Sequence, residues 1–283
     1  MDLNLGNIIA NSFKYPLGDL KHLGFACVLF VLTLILPIGI FIENEITCMI
    51  GLVALLVFIL IAPGYLILVV NSGINESLEI PSIKVGRSIV NTFKLLVLHI
   101  CYIAVPSIIA LVLMLFATGI VDFPKILIDS LLSFTFTFKL IEDFIIAILT
   151  TFGVVLFVRW VFSLFAYIAK ARMADTNSLI DGLKIDKVFT DIKQIGVGRF
   201  LGWYFAMAIL VGIIGMIALL LLNIHYFGAI AGLCIVIPLL CLIYYYSLGL
   251  LYSNAVSDES KDDELDFDQF EKELEYLKYG LIR

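Results

Sequence analysis

Long uncharged apolar runs dominate the chain, and each has the length of a helix that crosses a bilayer. Such a helix needs roughly 20 residues, because it must cover about 30 Å of hydrocarbon at a rise of about 1.5 Å per residue. The runs lie at residues 23–42, 46–70, 95–120, 144–169, 200–222 and 227–253. This pattern predicts an all-α integral membrane protein with about six transmembrane helices.

Three shorter segments, each leading into an odd-numbered span, have the periodicity of an amphipathic helix. Their apolar faces are Leu5, Ile8, Ile9, Phe13 and Leu17; Ile89, Val90, Phe93, Leu96 and Val97; and Ile185, Val188, Phe189, Ile192 and Ile195. Their opposite faces are polar, with Asn7, Asn11 and Lys14; Arg87, Asn91 and Lys94; and Lys184, Lys187, Asp191 and Gln194. We expect each segment to lie as a helix in the cytoplasmic interface.

The order of these segments suggests an internal repeat. Asn11–Lys14 and Asn91–Lys94 share the pattern Asn-Ser/Thr-Phe-Lys, and the third segment agrees in periodicity. The chain then reads three times as an interfacial amphipathic helix followed by a transmembrane hairpin. The middle unit has a long outer connection over residues 121–143, for which interfacial, re-entrant and extended conformations stay open.

Composition supports a lipid environment for residues 1–255 and a separate tail over residues 256–283. Hydrophobic residues make up 62% of the chain and charged residues 15%, against about 45–50% and about 25% in soluble domains. Ten of the 24 acidic residues lie between Asp258 and Glu275. The tail also has the apolar spacing of a short amphipathic helix, which either docks on the chain's own basic face near residues 170–199 or recruits a cytoplasmic partner.

The distribution of Lys and Arg predicts the orientation. Fifteen of them lie in the N-terminus, the connections 71–94 and 170–199 and the tail, whereas two lie in the 121–143 connection. By the positive-inside rule both termini are cytoplasmic, in a multi-pass protein of the cell membrane.

Residue patterns for catalysis, metals, cofactors or nucleic acid are absent from the sequence. His22, His99 and His225 are far apart, and neither a His-Glu-x-x-His helix nor a phosphate-binding glycine loop occurs. No basic run with interleaved aromatics offers a nucleic-acid surface. The central parts of the spans hold no carboxylate, which argues against ion-coupled transport. We therefore expect no enzymatic activity, no catalytic or metal-binding residue and no cofactor.

Arg159 is the candidate intramembrane functional residue, since it is the one charge deep in a predicted span. It lies eleven residues before Lys170, about 16 Å along a helix. One reading has the helix project beyond the membrane, so that Arg159 anchors it at the headgroups. The other has Arg159 face the bundle and bind an anion, with Asn71 and His99 as possible neighbours.

Prolines and small residues within the spans bear on how the helices pack. Pro37, Pro63, Pro106 and Pro238 each remove a backbone donor, and we interpret them as kinks. The pairs Ala208-x-x-x-Gly212 and Gly228-x-x-x-Gly232 permit close approach of helices, either within the last hairpin or in self-association.

Several short motifs resemble a family known as domain of unknown function 4013, a set of chiefly archaeal multi-spanning membrane proteins. The carriers are Phe13-Lys14-Tyr15-Pro16 with Asp19, Gly64-Tyr65, Pro81 and Asp181-Gly182, and the resemblance covers most of residues 1–255. The chain departs from the family at Ser82-Ile83-Lys84, where acidic and aromatic residues are usual. The resemblance implies the architecture and no activity.

Two function classes remain. The first is a non-enzymatic membrane protein that scaffolds partners or interacts with lipid, including anionic lipid, and it is favoured because the spans lack a polar lining. The alternative is a passive channel or carrier for a small or anionic solute. A continuous polar cavity would discriminate between them.

Overall fold

The computed structural model describes residues 4–18, 20–133, 137–222, 228 and 232–253. These residues form helices and turns without a strand among them, which confirms the predicted all-α class. The chain divides into two compact units, one of Met1–Leu95 with Lys170–Arg283 and one of Leu96–Ala169. The predicted tail helix lies outside the described residues.

Twelve helices account for most of the described chain. They are α1 (Leu5–Gly18), α2 (Leu20–Val31), α3 (Ile35–Phe41), α4 (Glu45–Ile74), α5 (Val85–His99), α6 (Val105–Ala117), α7 (Phe123–Leu132), α8 (Phe138–Thr176), α9 (Leu179–Leu183), α10 (Ile185–Ile195), α11 (Val197–Leu222) and α12 (residues 237–253). Short 3₁₀ or π turns connect several of them without ending the helical path.

Five helical stretches in the described residues are long and apolar enough to cross a membrane. They are Glu45–Ile74, Val85–Ala117, Phe138–Thr176, Val197–Leu221 and Cys234–Ser253. The first predicted span, residues 23–42, is also helical, but its apolar helix Ala26–Phe41 is shorter. Five of the six predicted spans therefore have membrane-crossing length and composition in the structure.

Three of the four prolines within spans coincide with a break in the α-helical pattern. A 3₁₀ turn at Leu32–Leu34 precedes Pro37, and π turns at Ile100–Ala104 and Gly232–Val236 precede Pro106 and Pro238. Each turn contains the residue four positions before its proline, whose carbonyl would otherwise accept the missing N–H. Pro63 lies inside α4 without such a turn.

The amphipathic segments are helical, but they differ in how they join their spans. α5 is not a separate interfacial helix, because it continues through a π turn into α6 as the stretch Val85–Ala117. α10 does end before its span, at Gly196, whose φ of 87° breaks the helix. Gly196 thus forms a hinge between α10 and the following span, whereas α5 and α6 belong to one helical stretch.

In each of the helices α5 and α10, one residue of the polar face is buried and one phenylalanine of the apolar face is exposed. In α5, Asn91 is 3% exposed and Phe93 is 55% exposed. In α10, Asp191 is 2% exposed and Phe189 is 47% exposed. The basic residues at the start of both helices are exposed, so burial is confined to single polar residues and does not extend over a whole polar face.

Glycines set the closest helix crossings of the first unit. A methyl group on Gly73 would clash with the Tyr246 carbonyl of α12, and one on Gly249 would clash with the Val70 carbonyl of α4. A methyl group on Gly64 would clash in the same way with the Ser88 carbonyl of α5. α4 therefore packs at backbone distance against both α5 and α12.

The small residues predicted to pack the last hairpin make looser contacts. A methyl group on Gly212 would meet no atom within 4 Å, and one on Gly232 would lie 3.5 Å from the Ala218 carbonyl oxygen. The tight crossing of α12 is with α4, through residues that are distant in sequence.

The second unit contains the long outer connection, which is largely helical. α7 covers Phe123–Leu132, and α8 begins at Phe138, so an extended conformation does not apply there. Residues 134–136 of this connection lie outside the described residues. Phe123 stacks on Phe144 at 3.6 Å between ring centroids, and the hydroxyls of Thr118 and Thr151 lie 3.2 Å apart.

Candidate functional site

A buried polar cluster surrounds the last turns of α8 in the first unit. Asp191 of α10 accepts two hydrogen bonds from Arg172 Nη1, at 2.7 Å to Oδ1 and 2.9 Å to Oδ2. The Tyr252 hydroxyl of α12 donates to the same carboxylate at 3.1 Å. Three helices are therefore joined at one buried charge.

Because this ion pair is buried, its contribution to the stability of the fold depends on its geometry and on further hydrogen bonds. The side chains of Arg172 and Asp191 are 12% and 4% exposed. A buried pair recovers its desolvation cost only with good geometry and further hydrogen bonds, which Tyr252 helps to supply. Removing one partner leaves a buried charge uncompensated, so the cluster fixes the position of α10 strongly.

The sequence of α10 explains why Asp191 points inward. Val188, Ile192 and Ile195 are buried, and Asp191 lies three residues after the first of them and four before the last. These spacings put all four side chains on one face of a helix. Asp191 is thus carried into the protein by an otherwise apolar face.

The C-terminal end of α8 is capped by side chains from two other helices. The Asn71 amide of α4 donates to the Ala174 carbonyl at 3.0 Å. The Lys94 ammonium of α5 donates to the Asn177 carbonyl at 2.7 Å. The last carbonyls of a helix lack partners within it and carry its negative dipole end, so an amide and a cation both stabilise this end.

Aromatic residues complete the interior of this unit. Trp203 donates from Nε1 to the Ser247 hydroxyl at 3.2 Å, which in turn donates to the Tyr244 carbonyl at 2.8 Å. The Tyr15 ring of α1 stacks on Tyr246, with 3.9 Å between centroids. Burial raises the pKa of the Tyr15 phenol, so this residue is neutral.

The surface next to the cluster holds a short exposed ion pair. Lys184 Nζ lies 2.8 Å from Asp181 Oδ1, and the Ser178 side chain caps the start of α9. The Lys184 ammonium and the Ser178 hydroxyl lower the pKa of Asp181. Further along α10, Lys193 lies over the Phe189 ring at 4.5 Å from its centroid.

An apolar groove of about 270 Å³ lies beside α1, α11 and α12. Its lining residues are Phe13, Pro16, Leu17, Ile214, Val236, Leu239, Leu240 and Ile243. No polar side chain is among them. The groove therefore suits a hydrocarbon ligand and offers no site for an ion.

Residues 47–223, more than half of the chain, match the family described as Protein of unknown function (DUF4013). The chain belongs to this family. The match to DUF4013 includes Arg172, Asp191 and the whole of α10, and it ends before Tyr252. No curated protein and no solved structure matches the chain. Membership of DUF4013 confirms the resemblance drawn from the sequence motifs and carries no activity.

Arg159, the sequence-predicted site residue of this DUF4013 chain, is exposed on α8 in the second unit. His99 is half-buried at the end of α5 in the same unit, whereas Asn71 belongs to the first unit and binds Ala174 there. A role for Arg159 stays a prediction. Within the described ranges, no three His, Cys, Asp or Glu side chains lie close enough to hold a metal ion.

Sequence reasoning missed the Arg172–Asp191–Tyr252 cluster. Asp191 was assigned to the polar face of an amphipathic segment, and nothing local connects it with Tyr252, which lies 61 residues later. One signal was available, since Asp191 has the helical spacing of the apolar positions Val188 and Ile195 as well as that of the polar ones. An acidic residue flanked in this way is a candidate for a buried pair.

Proposed function

We propose that this chain is a non-enzymatic, multi-pass protein of the cytoplasmic membrane, with both termini in the cytoplasm, that binds anionic lipid and organises the bilayer around it. The length and apolarity of its helices support a membrane location. The excess of Lys and Arg in the connections 71–94 and 170–199 supports the orientation.

The outward faces of α1 and α5 carry the proposal. Phe13 and Phe93 are exposed on these helices, and the cations Lys14, Lys84 and Arg87 are exposed beside them. Aromatic and basic side chains in one layer are typical of the region where lipid headgroups meet hydrocarbon. Each cation near an anionic surface contributes about 1 kcal/mol to binding.

The interior of the first unit favours lipid organisation over conduction. Asp191, Asn71 and Trp203 use their polar atoms on partners within the protein. The groove described above is lined by apolar residues alone. A solute path needs polar groups that remain available to the solute, and these groups are committed elsewhere.

Native mass spectrometry of the full chain from nanodiscs of phosphatidylglycerol and phosphatidylcholine tests the lipid preference. Replacing Lys84 and Arg87 by Gln should weaken retention of phosphatidylglycerol about fivefold for each charge removed. The matched control replaces Lys125 and Lys139 by Gln, on the proposed outer side, and should have a smaller effect. Equal retention of both lipids by the unaltered chain would refute the proposal.

Thiol labelling in intact cells tests the orientation separately. In a chain whose own cysteines are replaced by Ser, Cys at position 75 should resist a membrane-impermeant reagent. Cys at position 44 or 223 should react, since these positions belong to the proposed outer turns. The opposite labelling pattern would overturn the orientation and the threefold repeat built on it.

Passive transport of an anionic solute is the second candidate, and the exposed Arg159 within the apolar stretch Phe138–Thr176 favours it. A cation in a span is costly unless it serves a ligand, a headgroup or a neighbour. Proteoliposome flux of chloride and phosphate separates the two functions. Flux that Arg159→Leu abolishes in a folded protein would support transport, whereas absence of flux in the unaltered chain supports lipid organisation.

A further inference from the structure

We infer that the apolar groove between α1, α11 and α12 holds a hydrocarbon chain of one anionic membrane lipid, whose headgroup is bound by Lys14. The inference deepens the proposed lipid interaction and rests on it. It assigns a specific binding site where the proposed function requires only a basic, aromatic surface.

The apolar lining of the groove indicates that its ligand is a hydrocarbon chain. Its eight lining residues are apolar, and its volume of about 270 Å³ exceeds that of apolar protein cavities of about 150 Å³ that stay dry and bind benzene. Water would find no hydrogen-bond partner on these walls. The lining residues of α11 and α12 belong to the membrane-crossing stretches Val197–Leu221 and Cys234–Ser253, where hydrocarbon is the surrounding solvent.

The groove extends from α1 along the first part of α12. Tyr15 of α1 stacks on Tyr246, three residues from the lining residue Ile243. From Ile243 the lining continues to Val236, over seven residues or about 10 Å of helix. The groove therefore runs from the amphipathic helix α1 along the membrane-crossing part of α12.

A cation marks the α1 end. Lys14 is exposed and lies within one helical turn of the lining residues Phe13 and Leu17. The lining from Val236 to Ile243 holds no charged residue. An ammonium at one end of an apolar groove matches an anionic lipid, which has its charge at one end of its hydrocarbon chain.

Photolabelling of the full chain locates the lipid. The probe is phosphatidylglycerol with a diazirine in the middle of one acyl chain, incorporated in nanodiscs and mapped by mass spectrometry. Labels should concentrate on residues 236–243, at the junction of the π turn and α12. The internal comparison is the exposed stretch Ile213, Met216 and Ile217 of α11, which any annular lipid reaches. Equal labelling of the two stretches would overturn the site.

Filling the groove should displace its lipid. Leu240→Trp places a large ring among the lining residues and should remove the labelling of residues 236–243 and the tightly retained lipid. Leu220→Trp, on an exposed position of α11, is the matched control and should change neither. If Leu240→Trp does not fold, Val236→Phe provides a second filling variant at the far end. Unchanged labelling in a folded filling variant would contradict the inference.

Removing the cation tests the headgroup contact. Lys14→Gln should reduce the preference of the groove for phosphatidylglycerol over phosphatidylcholine about fivefold, with labelling of residues 236–243 still present. An unchanged preference would exclude Lys14 as the headgroup ligand. If the groove is not the binding site, the chain should still retain anionic lipid, but residues 236–243 should not be labelled preferentially. If the proposed function is wrong, the chain should show no preference for anionic lipid at all.

Discussion

The helix α5 begins a membrane-crossing stretch and α10 precedes one, and each turns a phenylalanine outward, yet the two helices attach to the protein differently. α5 buries the uncharged Ser88 and Asn91 and continues through a π turn into α6. α10 buries Asp191 in an ion pair and stops at Gly196.

Corresponding positions in the two helices show where the difference lies. Two residues after the outward Phe93, α5 has the buried Leu95, and two residues after the outward Phe189, α10 has the buried Asp191. α1 follows the same pattern, with exposed Phe13 and buried Tyr15. Helices that share an outward phenylalanine are therefore held to the protein in different ways, by apolar packing, by aromatic stacking or by charge.

Removing the buried charge of Asp191 should have the largest effect on stability. Asp191→Asn keeps the shape of the side chain but leaves Arg172 without its counter-charge, so the free energy of unfolding should fall by about 3 kcal/mol. Thermal unfolding in nanodiscs, followed by tryptophan fluorescence, measures it. Asp186→Asn, an exposed position on the same helix, is the control. Equal effects of the two substitutions would contradict the role of Asp191.

The helix α5 is held against α4 by close backbone contact rather than by charge. Gly64→Ala would press a methyl group against the Ser88 carbonyl and should reduce the free energy of unfolding by about 1–3 kcal/mol. Gly212→Ala has open space around it and should be neutral or slightly stabilising, because alanine favours helix. Thermal unfolding of the two variants compares them directly. A stable Gly64→Ala protein would mean that α4 and α5 are further apart.

Substitution of the glycine at the break after α10 should destabilise the protein less than either of the two substitutions above. Gly196 has a φ of 87°, which L side chains rarely adopt, so Gly196→Ala should reduce the free energy of unfolding by about 1–2 kcal/mol. Gly198→Ala, two residues later inside α11, has no atom within 4 Å of the added methyl group and serves as the control. If both variants unfold at the same temperature, the hinge is not required.

Loss of the exposed Lys184–Asp181 ion pair beside α10 should have the smallest effect on stability. Because Lys184 lowers the pKa of Asp181, the pair contributes stability above the usual aspartate range and loses it as the pH falls through the lowered pKa. Lys184→Gln should raise the Asp181 pKa back toward the usual value of an aspartate, which carboxyl NMR can follow. An unchanged titration would mean that Ser178, rather than the ammonium, determines the shift.

The sequence predicted the helices well because membrane helices are determined locally. An apolar run of about 20 residues is helical in lipid whatever it later packs against, since its backbone must satisfy its own hydrogen bonds. The prolines were informative for the same reason, as the turns before Pro106 and Pro238 follow from one missing donor.

The contacts between helices could not be predicted in this way. The sequence gives α5 an apolar and a polar face, but it does not indicate that Asn91 is buried and Phe93 exposed. The crossing of Gly73 and Gly249 and the bond from Tyr252 to Asp191 join residues far apart in sequence. Only the folded arrangement of the helices brings these residues together.

Collision measurements on a spin label test most directly whether the outward face of α5 lies against lipid. The label is attached to Cys at position 93 of the full chain in nanodiscs, with the native cysteines replaced by Ser, and compared with a label at position 84. Oxygen should relax the label at position 93 and a water-soluble nickel complex should not, whereas nickel should relax the label at position 84. Relaxation by nickel at both positions would show that this face of α5 lies in water and would contradict its contact with lipid.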